Sequence, residues 1–270
     1  MVSDSHFIYA ATAVRYIFAD DVDVDTKGRL KKMLAVDFIS NLRFGHINRL
    51  YSTILVGVLD NQKFELDERE RRKLALWTVV CVQKSVSINT LVALAGLVNE
   101  DQAWRAIQPL RSVLHVSTRN SSVSALHASF PDYLFDKTRS EKFFCDSKKH
   151  NQLVARRCFD IMKAQLKFNI CDLEPPSVPD EETQDLKTRI EEKISQELFY
   201  VCRFWVDHLR LTEMSEELGS MLNEFLSQRL LFWMEVMNLK DCMITGLAEL
   251  LKCCTSMGIH QICRCNLPES

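Results

Sequence analysis

Leu126-His127-Ala128-Ser129-Phe130-Pro131-Asp132-Tyr133-Leu134, with Pro109-Leu110-Arg111-Ser112-Val113-Leu114 shortly before it, marks the place where a helical pattern gives way to something else. Between the two lies Ser117-Thr118-Arg119-Asn120-Ser121-Ser122, a polar run that reads as a turn. Val113, Leu114 and Val116 precede the turn, and Val123, Ala125 and His127 follow it. Apolar and β-branched residues on both sides of such a run predict a two-stranded hairpin near residues 112–127. His127 falls at its end, just before a short predicted helix.

Upstream of the hairpin, Asp67 to Gln83 reads as a helix with a charged first half and a buried second half, carrying Leu74, Leu76, Trp77, Val80 and Cys81. Ser87 is placed to cap a second helix, Ile88 to Leu97, with Gly96 near its end. Asn99 or Asp101 starts a third, whose Trp104, Ile107 and Leu110 share one predicted buried face. Three helices followed by a hairpin is the winged-helix arrangement. A DNA-reading version needs a basic face on the third helix. That helix balances Glu100 and Asp101 against Arg105 and Arg111, so a winged helix serving protein contacts is the expectation.

On either side the periodicity is helical. Phe7 to Ala19 predicts a core helix, too short and too poorly flanked to be a membrane span or signal peptide. Leu30, Met33, Leu34 and Phe38 follow a helical spacing, as do Ile47, Leu50, Tyr51, Ile54, Leu55, Val58 and Leu59. The acidic run Asp20 to Asp25 lacks the glycine and distal glutamate of a calcium loop and reads as a solvated connection. Lys148 to Phe168 is helical again. Glu174-Pro175-Pro176-Ser177-Val178-Pro179-Asp180-Glu181-Glu182 cannot continue a helix and reads as a linker. Three further amphipathic helices are predicted around Ile194–Leu209, Leu218–Met237 and Asp241–Cys253, as a bundle or the first turns of a solenoid.

Composition excludes several classes. Only 7 Gly and 6 Pro in 270 residues argue against a sandwich or barrel, which need many special turns. A formal net charge of −2 gives no pull toward nucleic acid or an anionic membrane. The 10 cysteines fall mostly on apolar helix faces and follow no secretory signal, so reduced thiols in a cytoplasmic protein are the expectation.

Five segments in a fixed order carry a family resemblance. They are Phe-Ile-Tyr-Ala-Ala-Thr-Ala-Val-Arg-Tyr-Ile (Phe7 to Ile17), Leu-Tyr-x-x-Ile-Leu (Leu50 to Leu55) and Pro-Leu-Arg-Ser-Val-Leu-His-Val (Pro109 to Val116). Leu-His-Ala-Ser-Phe-Pro-Asp-Tyr-Leu (Leu126 to Leu134) and Tyr-Val-Cys-Arg-Phe-Trp-Val-Asp-His-Leu (Tyr200 to Leu209) complete the set. From residue 6 to about residue 252, the chain resembles the region C-terminal to the P-loop core in fungal-type NACHT signalling ATPases. The resemblance implies a mainly α protein. It divides as a helical lid over 1–62, a winged-helix domain with a small β-hairpin over 63–140, and a helical connector over 141–270. The connector would contain a linker near 174–185 and an unstructured tail. It also implies that His127 senses nucleotide by donating to the phosphate end of ADP, a contact that strengthens when the imidazole is charged.

The departures from that family are equally specific. No Gly-Lys dipeptide occurs, so there is no P-loop to cradle phosphates, and no apolar strand ends in a Walker-B acidic cluster. The chain alone is expected not to hydrolyse ATP and to need ADP or ATP only when joined to a P-loop core. The resemblance implies that core as a partner in cis or in trans, with repeat or effector domains beyond it and neither nucleic acid nor membrane. The sequence begins as though its preceding partners were missing, which reads as a fragment or a degenerate paralogue. A helical scaffold or truncated gene product is the alternative.

Metalloprotease His-Glu-x-x-His and hydrolase Gly-x-Ser-x-Gly are both missing. Cys253-Cys254, His260 and Cys263-x-Cys265 offer zinc-type donors, but two adjacent cysteines fit one tetrahedral ion poorly, so no metal site is expected. His115 reads as a packed or surface histidine. His150 and His208 read as helix residues without a paired acid.

Overall fold

The computed structural model describes residues 2–18, 25–36, 45–60, 62, 64–117, 121–173 and 186–256. The acidic run, the centre of the Ser117–Ser122 turn, the proline-rich linker and the His260–Cys265 part of the tail fall largely or wholly outside them. Within them the chain is mainly α-helical with one small antiparallel sheet. It divides into two compact units, residues 1–150 and 151–270.

In the first unit α1 (Val2–Ile17), α2 (Thr26–Val36) and α3 (Gly45–Leu59) contact one another. The helical spacing in α3 buries Ile47, Leu50, Tyr51, Ile54, Leu55 and Val58 on a single stripe. Next comes α4 (Leu66–Cys81), which packs on α5 (Ile88–Ala95) and α6 (Glu100–Ile107). Both of these helices start where local chemistry demands. Ser87 Oγ accepts from Thr90 N at 3.2 Å, and Asn99 Oδ1 accepts from Gln102 N at 3.0 Å, satisfying N–H groups that have no partner inside the helix. Gly96 ends α5 at φ 67°, a left-handed conformation that glycine takes without a Cβ clash. Ala103, Ala106 and Ile107 of α6 are buried, whereas Trp104 is only half-buried.

The sheet has three strands rather than the predicted two. Strand β1 (Val86–Ser87) joins β2 (Leu114–Val116) and β3 (Ser122–Ala125) in the order β1–β3–β2, with Val86 opposite Val123 and Leu114 opposite Ala125. His127 lies beyond the last β3 residue, not within the strand. Leu126 N still donates to Val113 O at 2.9 Å, but there the ladder ends and α7 (Ser129–Phe135) begins. A short α8 (Lys137–Ser140) follows, capped by Asp136 Oδ1, which accepts from Thr138 and Arg139 N–H groups.

The division between units falls inside α9 (Ser147–Gln165). The second unit continues with α10 (Leu186–Lys193), α11 (Gln196–Arg210), α12 (Glu216–Gln228), α13 (Leu230–Leu239) and α14 (Met243–Ser256). Helix α11 packs on α13 and α14, and α13 also meets α12 and α14. The core is a run of rings. Phe159, Trp205, Phe225 and Trp233 follow one another at centroid distances of 5.6, 5.1 and 6.3 Å. Trp233 Nε1 donates to Cys202 O at 2.8 Å, so its polar atom is not wasted in an apolar interior. After α9 the chain turns with Asn169 at φ 50°, and the Glu235 carboxylate accepts from Asn169 and Ile170 N–H groups at 3.1 and 3.0 Å.

Candidate functional site

The end of β3 delivers His127 to the surface, and the first turn of α7 fixes its ring. Ser129 N donates to His127 Nδ1 at 3.0 Å. A backbone N–H can donate only to a ring nitrogen that carries no hydrogen, so the imidazole proton sits on Nε2. Ser129 Oγ lies 2.9 Å from the same Nδ1, and Tyr51 Oη lies 2.8 Å from Ser129 Oγ. The consistent assignment is a short relay in which Tyr51 O–H donates to Ser129 and Ser129 O–H donates to Nδ1. Tyr51 is 1% exposed and burial raises its phenol above the ordinary range, which keeps it a neutral donor.

The relay is braced by packing. The Tyr51 ring meets Phe130 edge-on at 5.0 Å and Tyr133 at 5.4 Å, so α3 and α7 hold each other in register. Arg139 on α8 adds a fork, with Nε and Nη2 donating to Asn48 Oδ1 of α3 at 3.2 and 2.9 Å. The result is an exposed residue whose Nδ1 is occupied by its own chain and whose Nε2, bearing hydrogen, makes no bond to a described residue. Such a group can donate to an anionic oxygen, and its position is set by a rigid corner.

His115, His150 and His208 are placed differently. His115 is exposed on β2. His150 is buried on α9, where Thr78 O–H donates to Leu74 O at 2.8 Å, leaving the His150 Nε2–H to donate to Thr78 Oγ1 at 3.0 Å. Burial lowers its pKa from 6.5 to about 4, so it stays uncharged. His208 is fully buried on α11 between Asn151 Oδ1 at 2.7 Å and Tyr200 Oη at 2.9 Å.

Cys81, Cys145, Cys158, Cys171, Cys202 and Cys253 are buried and outside any disulfide, and desolvation alone holds the Cys158 thiol far above its ordinary range. Among the described residues no group of three or more His, Cys, Asp or Glu is placed to hold a metal ion, and the zinc-type donors at His260, Cys263 and Cys265 lie outside them. Among the described residues, no helix is long and apolar enough to cross a membrane.

A second polar location in the first unit, a cavity of about 250 Å³ beside β2, was not legible from sequence. Arg15, Arg29 and Arg111 line it from three separate segments, so no motif announces it. No family model, curated protein or solved structure matches this chain.

Proposed function

We propose that this chain is a regulatory and interaction part of a NACHT-type signalling ATPase, without catalytic activity of its own. It packs on a P-loop core in cis or in trans and relays the nucleotide state of that core. The observation that carries the reading is the set of His127: on an exposed residue Nδ1 accepts from Ser129 N, which leaves the Nε2 hydrogen without a bond to a described residue. A donor held this way suits a terminal phosphate oxygen of ADP.

Two further features support it. Phe7, Val14 and Phe18 are 76%, 55% and 66% exposed, and their spacing puts them on one face of α1 and its last turn, an apolar strip suited to a docked partner. The order α4, β1, α5, α6, β2, β3 supports reading residues 63–140 as the winged helix of the resemblance. In this reading the mechanism is a rigid-body change: ADP on the core holds the His127 corner closed, and its loss releases it.

The test starts with the in-frame coding sequence upstream of Met1, which should encode Gly-x-x-x-x-Gly-Lys followed by Ser or Thr. In the joined protein, His127→Ala should release ADP about tenfold faster or more, since a hydrogen bond to a charged group is worth roughly 1.5–3 kcal/mol. Equal release from wild type and variant sinks the assignment.

A further inference from the structure

The cavity beside β2 is walled by the end of α1, by α2, and by the turn that leads from α6 into β2. Arg15, Arg29, Arg111 and His115 supply its polar wall, with Phe18 and Pro109 as its apolar flank. Asp and Glu do not occur among its described lining residues, and none of the three arginines forms an ion pair with a described residue. Like charges gathered with no carboxylate among the described residues around them repel one another, so the arrangement favours an anion there.

One of the guanidiniums is already set in place. Arg29 Nη1 donates to Tyr16 O at 2.7 Å, and its guanidinium carbon lies 4.9 Å from the Tyr16 ring centroid. Arg29 is half-buried, so its position is fixed by α1 rather than by solvent. Arg15 and Arg111 are exposed, with their donors uncommitted.

The second observation is independent of charge. Ser112 is 4% exposed, and its Oγ has no hydrogen-bond partner among the described residues although it lines this same cavity. A buried hydroxyl normally finds a partner. Ser112 lines the cavity, so a group bound there lies beside the hydroxyl that lacks a partner.

We propose that this cavity is a binding site for a phosphate dianion, free or as the phosphoryl group of a small phosphomonoester. Three forked guanidiniums and a hydroxyl offer more donors than the two oxygens of a carboxylate can accept, whereas a tetrahedral phosphoryl group presents three or four oxygens to them. The volume, about 250 Å³, lies below the roughly 300–1,000 Å³ of pockets that enclose a drug-sized ligand, so the cavity takes the phosphoryl end and not a whole large molecule. His127 is not among the lining residues, and the proposal stands or falls independently of the NACHT reading.

The test is calorimetric titration of the full chain with inorganic phosphate and, separately, with glycerol phosphate, at ionic strength held constant with chloride. Saturable binding of phosphate is expected, weakened about tenfold or more in Arg111→Ala and in Arg15→Ala, each losing a charge-assisted hydrogen bond. Both residues are exposed, so the variants should keep the wild-type circular dichroism. Ser112→Ala should also weaken binding while leaving the fold intact, because it deletes a hydroxyl that no described residue needs. Tighter binding of glycerol phosphate than of phosphate assigns the site to a phosphomonoester, and the reverse order assigns it to the free ion. No saturable binding of either, or equal affinity in wild type and Arg111→Ala, overturns the proposal. So does binding that emerges only in an Asp20→Asn, Asp21→Asn, Asp23→Asn variant, since the chain's own carboxylates would then be the occupant.

Discussion

His127 at the corner of β3 and α7 and His208 inside the second unit are built from the same parts. Each is an imidazole with a tyrosine hydroxyl close by and a second polar group fixing its ring. Around His208 the two polar groups take both nitrogens, and nothing is left over for a ligand. Around His127 both the Ser129 N–H and its hydroxyl act on Nδ1, which frees Nε2. A histidine held by one nitrogen is positioned for an outside partner; a histidine held by both is part of the core. Identity and a nearby tyrosine do not distinguish them, but the distribution of hydrogen bonds does.

The largest expected effect tests the buried side of that contrast. His208→Leu removes two buried hydrogen bonds from a fully enclosed site and should cost about 3 kcal/mol or more in urea unfolding of the second unit. A cost no larger than that of a surface substitution would erase the distinction.

A comparable but pH-dependent effect is expected at His150, which is also buried. Its folded pKa of about 4 lies below the unfolded value of 6.5, so the folded state resists protonation. The stability it contributes is fully present above pH 6.5 and is lost as pH falls toward 4, by up to about 3 kcal/mol. The difference in urea midpoint between wild type and His150→Leu, followed from pH 7 to pH 4, should shrink or reverse across that window. A constant difference would show that His150 does not titrate there.

The smallest effect is expected at the exposed His127. In this chain alone His127→Ala loses an exposed contact to Ser129 and should change stability by less than about 1 kcal/mol. A loss as large as that of His208→Leu would place His127 with the core histidines.

Much of the helical fold is legible because its signals are local. Ser87, Asn99 and Gly96 mark helix ends through bonds and torsions that involve only the next few residues, and the stripe in α3 is a matter of spacing. Strand β1 is not legible. Two residues carry no periodicity, and Val86 is a strand only because Val123 comes to lie beside it. The same reason hides the set of the His127 ring. His127 and Ser129 are neighbours in sequence, but Tyr51, which completes the relay, comes from another helix. The basic cavity is the extreme case, since Arg15, Arg29 and Arg111 converge from segments that share no pattern. Trp104 shows the opposite error: spacing placed it on the buried face, and it is only half-buried there.

The strand order β1–β3–β2 also dictates a sequence of events as the chain folds. Strands β2 and β3 are adjacent and close a short loop, which is fast and entropically cheap. Strand β1 reaches β3 only across α5, α6 and the hairpin itself, so its pairing waits for those helices to bring Val86 and Val123 together. The two-residue strand therefore closes late and reports that the helices before the hairpin have already docked.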